Sequence, residues 1–293
     1  MSFTRTGSGL SNLALFHGAE FVVYTEGGVN SYSADEVLSG AGDKSSVDIK
    51  FWSSVFRKFG YNRRVKFKSV GSKSSSNRIC DLIVSGQLDG VIVARDSDLD
   101  DFLKLKYDSP FILYTRGYSW ENDVYDRRLV QEQIEAFVME QEFPEYYREL
   151  IKESYDFFYS KALSLLKLEL IFRKQGERLI CGMAGERFVN GKSNPKIRID
   201  QVRAAVKEKK SVLERPVDLS DFDLTCCPIK YCYGKLQEAL AISLIYHIAS
   251  VKEGFKSVPK DIMVATMIDR YGSSTGLSSD SYYRSIIDRL KAA

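Results

Sequence analysis

The sequence predicts an α/β fold, a parallel sheet with flanking helices followed by an α-helical C-terminal domain. Four short apolar runs, Glu20 to Thr25, Val65 to Val70, Gly90 to Arg95 and Phe111 to Thr115, each end in polar residues, the pattern of strands buried on both faces. Helical spacing separates them, in Ile49, Trp52, Val55, Phe56 and Phe59, then Ile79, Leu82 and Ile83, then Leu99, Phe102 and Leu103. After Trp120 the β-branched runs fade. Helical stretches follow at Leu129 to Glu142, Tyr147 to Lys174, Ile199 to Lys210, Lys235 to Val251, Lys260 to Arg270 and Asp280 to Lys291.

This plan divides the chain into an α/β domain, 1–123, and a helical domain, 124–293. Right-handed crossovers place the C-terminal ends of the first domain's strands on one edge, where open α/β sheets bind ligands. Residues 27–47, rich in Gly and Ser and without a period, read as a mobile loop inserted between the first strand and its helix. In the second half Leu236, Leu240, Leu244 and Ile248 make one core stripe, and Phe158, Leu165 and Leu168 another.

The bulk composition is that of an ordinary soluble chain: 293 residues, 44% hydrophobic, 28% charged, net charge +3. The longest apolar run, Ala239 to His247, is far too short to span a membrane. The start, Met1-Ser-Phe-Thr-Arg-Thr-Gly, lacks the basic-then-apolar pattern of a secretory leader. Five cysteines are an odd number without framework spacing. The expectation is a cytoplasmic protein with plain thiols and no membrane partner.

Chemistry concentrates at the strand ends. Val91-Ile-Val-Ala-Arg95 runs into Asp96-Ser97-Asp98, two carboxylates two residues apart as the chain leaves a buried strand. Glu26 leaves the first strand in the same way and precedes Gly27-Gly28, whose freedom lets a phosphate backbone come close. Hard Mg²⁺, with Mn²⁺ as an alternative, takes such carboxylates plus water and phosphate oxygens. Glu26, Asp96 and Asp98 are therefore the candidate catalytic and metal-binding residues, and Glu121, just past the fourth strand, is a further candidate ligand. The competing structural reading is helix capping. It is preferred for Asp100 and Asp101, it also applies to Asp98, and for the Glu121 region the cap would be Ser119 or Asn122.

Between Arg57 and Arg78 there are eight basic residues and no acidic one. Arg63, Arg64, Lys66, Lys68 and Lys73 are the candidate nucleic-acid contacts, because the segment runs toward the expected metal edge. A solvated face or a protected sheet edge is the plainer alternative. Cys226-Cys227 and Cys232 with His247 lack zinc-finger spacing. Two histidines, His17 and His247, argue against a histidine-centred hydrolase, and the absence of a P-loop argues against ATP hydrolysis by this chain. Gly234-Lys235 opens a helix and reads as structural or as a second phosphate contact.

With Glu26-Gly27 after one strand and Asp96-Ser97-Asp98 after another, the first half resembles a Toprim domain. Through these motifs, the Tyr118-Ser119-Trp120-Glu121-Asn122 stretch and the late Gly234-Lys235, the chain is similar to the DUF4435 branch, and within it to the Toprim effectors of PARIS antiphage systems, over most of its length. The resemblance implies a Mg²⁺-dependent nuclease, with tRNA favoured over DNA as the nucleic acid, active as a homodimer and held inactive by an ABC-type ATPase of the same system. Members of the branch continue Glu-Gly directly into x-x-Asp and an aromatic helix. Here Asp48-Ile-Lys-Phe51-Trp52 follows the insertion, so Asp48 is a displaced counterpart of that aspartate. In the expected mechanism Asp96 and Asp98 hold one or two ions at the scissile phosphate, and Glu26 is a ligand or general base. The rivals are a DxD nucleotide-sugar transferase, which leaves Glu26 and the basic run unexplained, a haloacid-dehalogenase phosphatase, whose motif is incomplete, and a non-catalytic subunit of an ATPase complex.

Overall fold

The computed structural model describes residues 18–71, 73–191, 194–213, 216–252, 254 and 258–293. The opening stretch with His17, and Ser72 just before Lys73, lie outside the described residues. The chain forms two units. The first comprises the described residues up to 97 with 105–116 and 272–293, and the second comprises 98–104 and 117–271.

In the first unit β1 (Phe21–Thr25), β2 (Val65–Ser69), β3 (Val91–Arg95) and β4 (Ile112–Tyr114) form one parallel sheet in the order β2-β1-β3-β4. Each strand falls within its expected apolar run. The helices are α1 (Ala34–Leu38), α2 (Val47–Lys58), α3 (Lys73–Val84) and, at the far end of the chain, α11 (Asp280–Ala292).

Alternation along the strands fixes two apolar faces. Val22, Tyr24, Val91, Val93, Ile112 and Tyr114 pack with Ile79, Cys80 and Ile83 of α3 and with Val37 and Leu38 of α1. On the other face Phe56 of α2 meets Phe67 of β2 edge-on at 5.3 Å. There α11 joins the layer: the buried Tyr283 ring sits 5.8 Å from Phe51 and 6.0 Å from Trp52. The Tyr283 hydroxyl accepts from the Arg116 backbone N–H at 3.2 Å.

The boundary expected at residue 123 is therefore corrected. The last helix belongs with the sheet, because its aromatic residues find their apolar partners on α2. Sequence periodicity places a helix but not the element it packs against.

The second unit contains α4 (Asp100–Leu103), α5 (Glu121–Val124), α6 (Arg127–Glu135), α7 (Glu145–Arg173), α8 (Ile199–Lys209), α9 (Gly234–Tyr246) and most of α10 (Lys260–Ser273). The long α7 buries Tyr147, Ile151, Tyr155, Phe158, Leu165, Leu166 and Leu170. Around α9 nearly every position is buried, as in a helix that forms the core of its unit, and the chain continues from it into a π-helical segment, His247–Lys252. A short antiparallel pair, β5 (Val189–Asn190) with β6 (Lys196–Ile197), was not expected. Two-residue strands leave no periodic signal. Among the described residues no helix is long and apolar enough to cross a membrane.

The inserted segment 27–47 is ordered, against the expectation of a mobile loop. Ser33 and Glu36 form a reciprocal capping box that starts α1. Asp43 pairs with Ser69 at the end of β2 through two backbone hydrogen bonds, 2.9 and 3.0 Å. The Asp43 carboxylate gathers the loop by accepting from Val29 N, Asn30 N, Asn30 Nδ2 and Tyr32 OH at 2.8–3.1 Å. These bonds, the Asn30 side chain first, hold its pKa down from 3.8 to about 2.

Because the folded-state pKa is depressed, the resulting stabilisation is full above about pH 4 and is lost as pH falls through about 2. Hydrogen exchange of the amides of residues 29–32 should therefore accelerate across that window in the wild type. Asp43→Asn should show fast exchange already at neutral pH and no step on acidification.

Candidate active site at the carboxyl edge of the sheet

The sheet order creates the site. From β1 the chain travels toward β2, and from β3 it travels the other way, toward β4, so the loops after β1 and β3 diverge and leave a crevice at the C-terminal edge between adjacent strands. Glu26 is the first residue beyond β1 and Asp96 the first beyond β3. The register Thr25↔Ala94 sets Glu26 level with Arg95.

Arg95 shapes the Glu26 side. The guanidinium is 1% exposed and lies beside the Tyr107 and Tyr114 rings, 6.0 and 5.8 Å from their centroids. Burial is the largest influence and works against its charge, but the Glu26 carboxylate, joined by Cys80 and Tyr114, outweighs it and raises the guanidinium's pKa above its ordinary value. Nε lies 3.1 Å from Glu26 Oε1, an ion pair rather than an aligned hydrogen bond. The same oxygen accepts from Ser76 Oγ of α3 at 3.1 Å. Two elements thus fix one carboxylate.

The turn that follows is tight. Gly27 and Gly28 have φ of +79° and +109°, conformations that side chains resist. A Cβ on Gly27 would lie 2.1 Å from Asp48 Oδ2. Asp48 sits in the first turn of α2, whose N-cap Ser46 accepts from Ile49 N at 3.1 Å. The whole insertion therefore folds back so that Asp48 abuts the residue after Glu26. Ser69 Oγ ties the turn together, within 2.9 Å of Gly27 O, 3.1 Å of Glu26 O and 2.9 Å of Ser46 Oγ. Its single proton serves one acceptor at a time.

Beyond β3, Ser97 pins the chain to the end of β4: its backbone N–H donates to Thr115 Oγ1 at 2.9 Å and its hydroxyl donates to Thr115 O. Asp96 on one side of Ser97 is half-buried. Asp98 begins the second unit's 98–104 stretch in a left-handed conformation, φ +48°, its N–H donating to Tyr118 O at 2.6 Å. In α4, Asp100 and Asp101 occupy the first turn, where the helix dipole favours them, without a side-chain cap.

Among the described residues no group of three or more His, Cys, Asp or Glu side chains is positioned to hold a metal ion. Mg²⁺ does not need one: one or two carboxylates suffice when water and substrate phosphates supply the other oxygens. Glu26, Asp48 and Asp96 are hard oxygen donors of that kind within one unit, so the donor chemistry fits.

Glu121 is corrected. It is buried in the second unit, with Oε1 2.6 Å from Lys235 Nζ, and Lys235 also reaches Glu238 Oε2 at 2.8 Å. Burial alone would lower the Lys235 ammonium; Glu121 and Glu238 overcome that and raise its pKa. Glu121 is thus spent on neutralising a cation. Gly234 and Lys235 belong to this ion-pair network, where a Cβ on Gly234 would meet Ser119 Oγ at 2.0 Å.

The basic candidates disperse. Arg63 and Arg64 lie at the N-terminal edge, opposite Glu26: Arg64 O accepts from Glu20 N and Phe21 N where β1 begins. The strand direction, already legible in the sequence, contains that placement. Lys68 is buried and its ammonium donates to Gly40 O, so it is not a phosphate contact. Lys66 is exposed, and Lys73 opens α3.

Sequence reasoning missed Arg95, Ser69, Ser76 and Asp43. Only the capping signals, Ser33-x-x-Glu36 and Ser46 before α2, were available to order the insertion that brings in Asp43 and Asp48.

No protein-family model matches the chain, and no curated protein matches it.

Gly27→Ala combines a strained φ with a clash against Asp48. It should cost more than about 1 kcal/mol in urea unfolding, whereas Gly18→Ala, also at positive φ but with open space around its Cβ, should cost only the backbone term.

Proposed function

We propose that this chain is a Mg²⁺-dependent nuclease built on the Toprim plan, with Glu26, Asp48 and Asp96 as its first-unit carboxylates. The observation that carries the reading is that Glu26 and Asp96 directly follow the adjacent strands β1 and β3, where their connections diverge, with Asp48 returned against the Gly27 turn across the insertion. Asp98 is included on the strength of the motif.

A bound divalent ion would supply Lewis-acid stabilisation of the charge that builds on the phosphate oxygens during cleavage. The chain's own groups do the rest. Arg95 and Ser76 hold Glu26 in one orientation, so no reorganisation is needed as charge develops. Gly27 and Gly28 leave backbone exposed where a phosphate must approach. The N-terminus of α2, beside Asp48, adds a positive dipole end. With Oε1 of Glu26 committed to Arg95 and Ser76, Glu26 acts better as an oriented ligand than as a general base.

The resemblance supports the finer reading: a toxic ribonuclease acting on host tRNA, cytoplasmic and homodimeric, restrained by an ABC-type ATPase. The second reading, a non-catalytic subunit of such a complex, finds support in the Glu26–Arg95 ion pair, which also has a purely structural use.

End-labelled total tRNA and duplex DNA, incubated with Mg²⁺, should be compared for wild type, Glu26→Ala, Asp96→Ala and Asp98→Ala. The proposal predicts RNA cleavage lost with chelator and reduced at least about a hundredfold by the Glu26 and Asp96 changes. No cleavage by wild type, with the ATPase and its trigger present, would favour the non-catalytic reading.

A further inference from the structure

The insertion places a cation where the β2 segment already carries several. Asp43 is hydrogen-bonded to Ser69, which sets the next residue, Lys44, within electrostatic reach of Lys68 on β2. Lys66 stands two residues before Lys68 on the same face of the strand. Lys44 and Lys66 are exposed, and neither has an ion-pair partner among the described residues. Asp43 directs its carboxylate to Asn30 and Tyr32, and Glu20 lies 3.8 Å from Arg64.

This arrangement is unfavourable as it stands. Burial first, then the positive charges of Lys44 and Lys66, lower the Lys68 pKa. Like charges without a counter-charge are relieved by a bound polyanion.

We infer that the outer part of β2, with Lys66 and Lys44, is a track for a polynucleotide phosphate backbone leading to the Glu26–Gly27 turn. The inference rests on the nuclease reading and deepens it. Lys68 supports the track from beneath. Side chains on one face of a strand recur about every 6.7 Å, close to twice the axial rise per phosphate of one duplex strand, about 3.4 Å. The track also ends in the right place, because Ser69, next to Lys68, touches both Glu26 and Gly27 through its hydroxyl. An acidic peptide would satisfy the charge but gives no reason for that termination.

The test is binding without cutting. Fluorescence anisotropy of a labelled single-stranded RNA, in EDTA and over a range of salt, compares wild type with Lys44→Gln/Lys66→Gln; Lys167→Gln on the other unit is the control. Both track residues are exposed, so folding should be unaffected. The expected result is an affinity lower by roughly tenfold or more and a salt slope shallower by about 1.4, that is about 0.7 for each lost phosphate contact. Polyglutamate at equal charge should compete far less well than unlabelled RNA.

Unchanged affinity and slope in the double variant would overturn the track, as would equal competition by polyglutamate. A wild type that cuts RNA with Mg²⁺ while the double variant binds normally would remove the track alone. A wild type that neither binds nor cuts would remove both proposals.

Discussion

The register of β1 against β3 is the constraint on which the rest of the site depends. It sets Glu26 beside Arg95, a guanidinium too deeply buried to be left without an anion. A slip of one residue would turn the side chains of β1 to opposite faces and separate the pair. The same register leaves Asp96 one step beyond the ion pair, at the edge where the two connections part. Fold stability and the placement of the proposed chemistry thus use one pairing.

That coupling has a consequence for Glu26. A carboxylate that neutralises a buried arginine is held in place by a penalty for leaving, and the orientation that a catalytic ligand needs comes with the fold. Ser76 and Arg95 act from α3 and β3, both rigid elements, rather than from a loop. The insertion, by contrast, is held by local means: a capping box, the Asp43 carboxylate and a short backbone pairing with β2. It brings in Asp48 on one side and Lys44 on the other.

Much of this was legible in the sequence because the informative patterns were local. Four apolar runs, each ending in polar residues, located all four strands, and period-four spacing located the long helices, including the almost wholly buried α9. Asp48 could be singled out only by its likeness to a motif, and its return to Gly27 depends on the path of the insertion. The packing of Tyr283 on Trp52 joins residues far apart in the chain, which no periodicity records. Glu121 and Lys68 misled for a common reason: a charged residue near a strand end reads the same whether it faces a ligand or is consumed by an internal partner, here Lys235 and the Gly40 carbonyl. Arg63 and Arg64 failed differently, since attention to charge density overlooked which end of the strand they occupy.

The proposed function requires a divalent cation at the edge between β1 and β3. Anomalous diffraction from crystals soaked in saturating Mn²⁺ tests it most directly, because it locates the ion without requiring activity. An anomalous peak is expected at the carboxylates of Glu26 and Asp96, absent in Glu26→Ala crystals. No peak at that edge, or one that persists unchanged in Glu26→Ala, would contradict it.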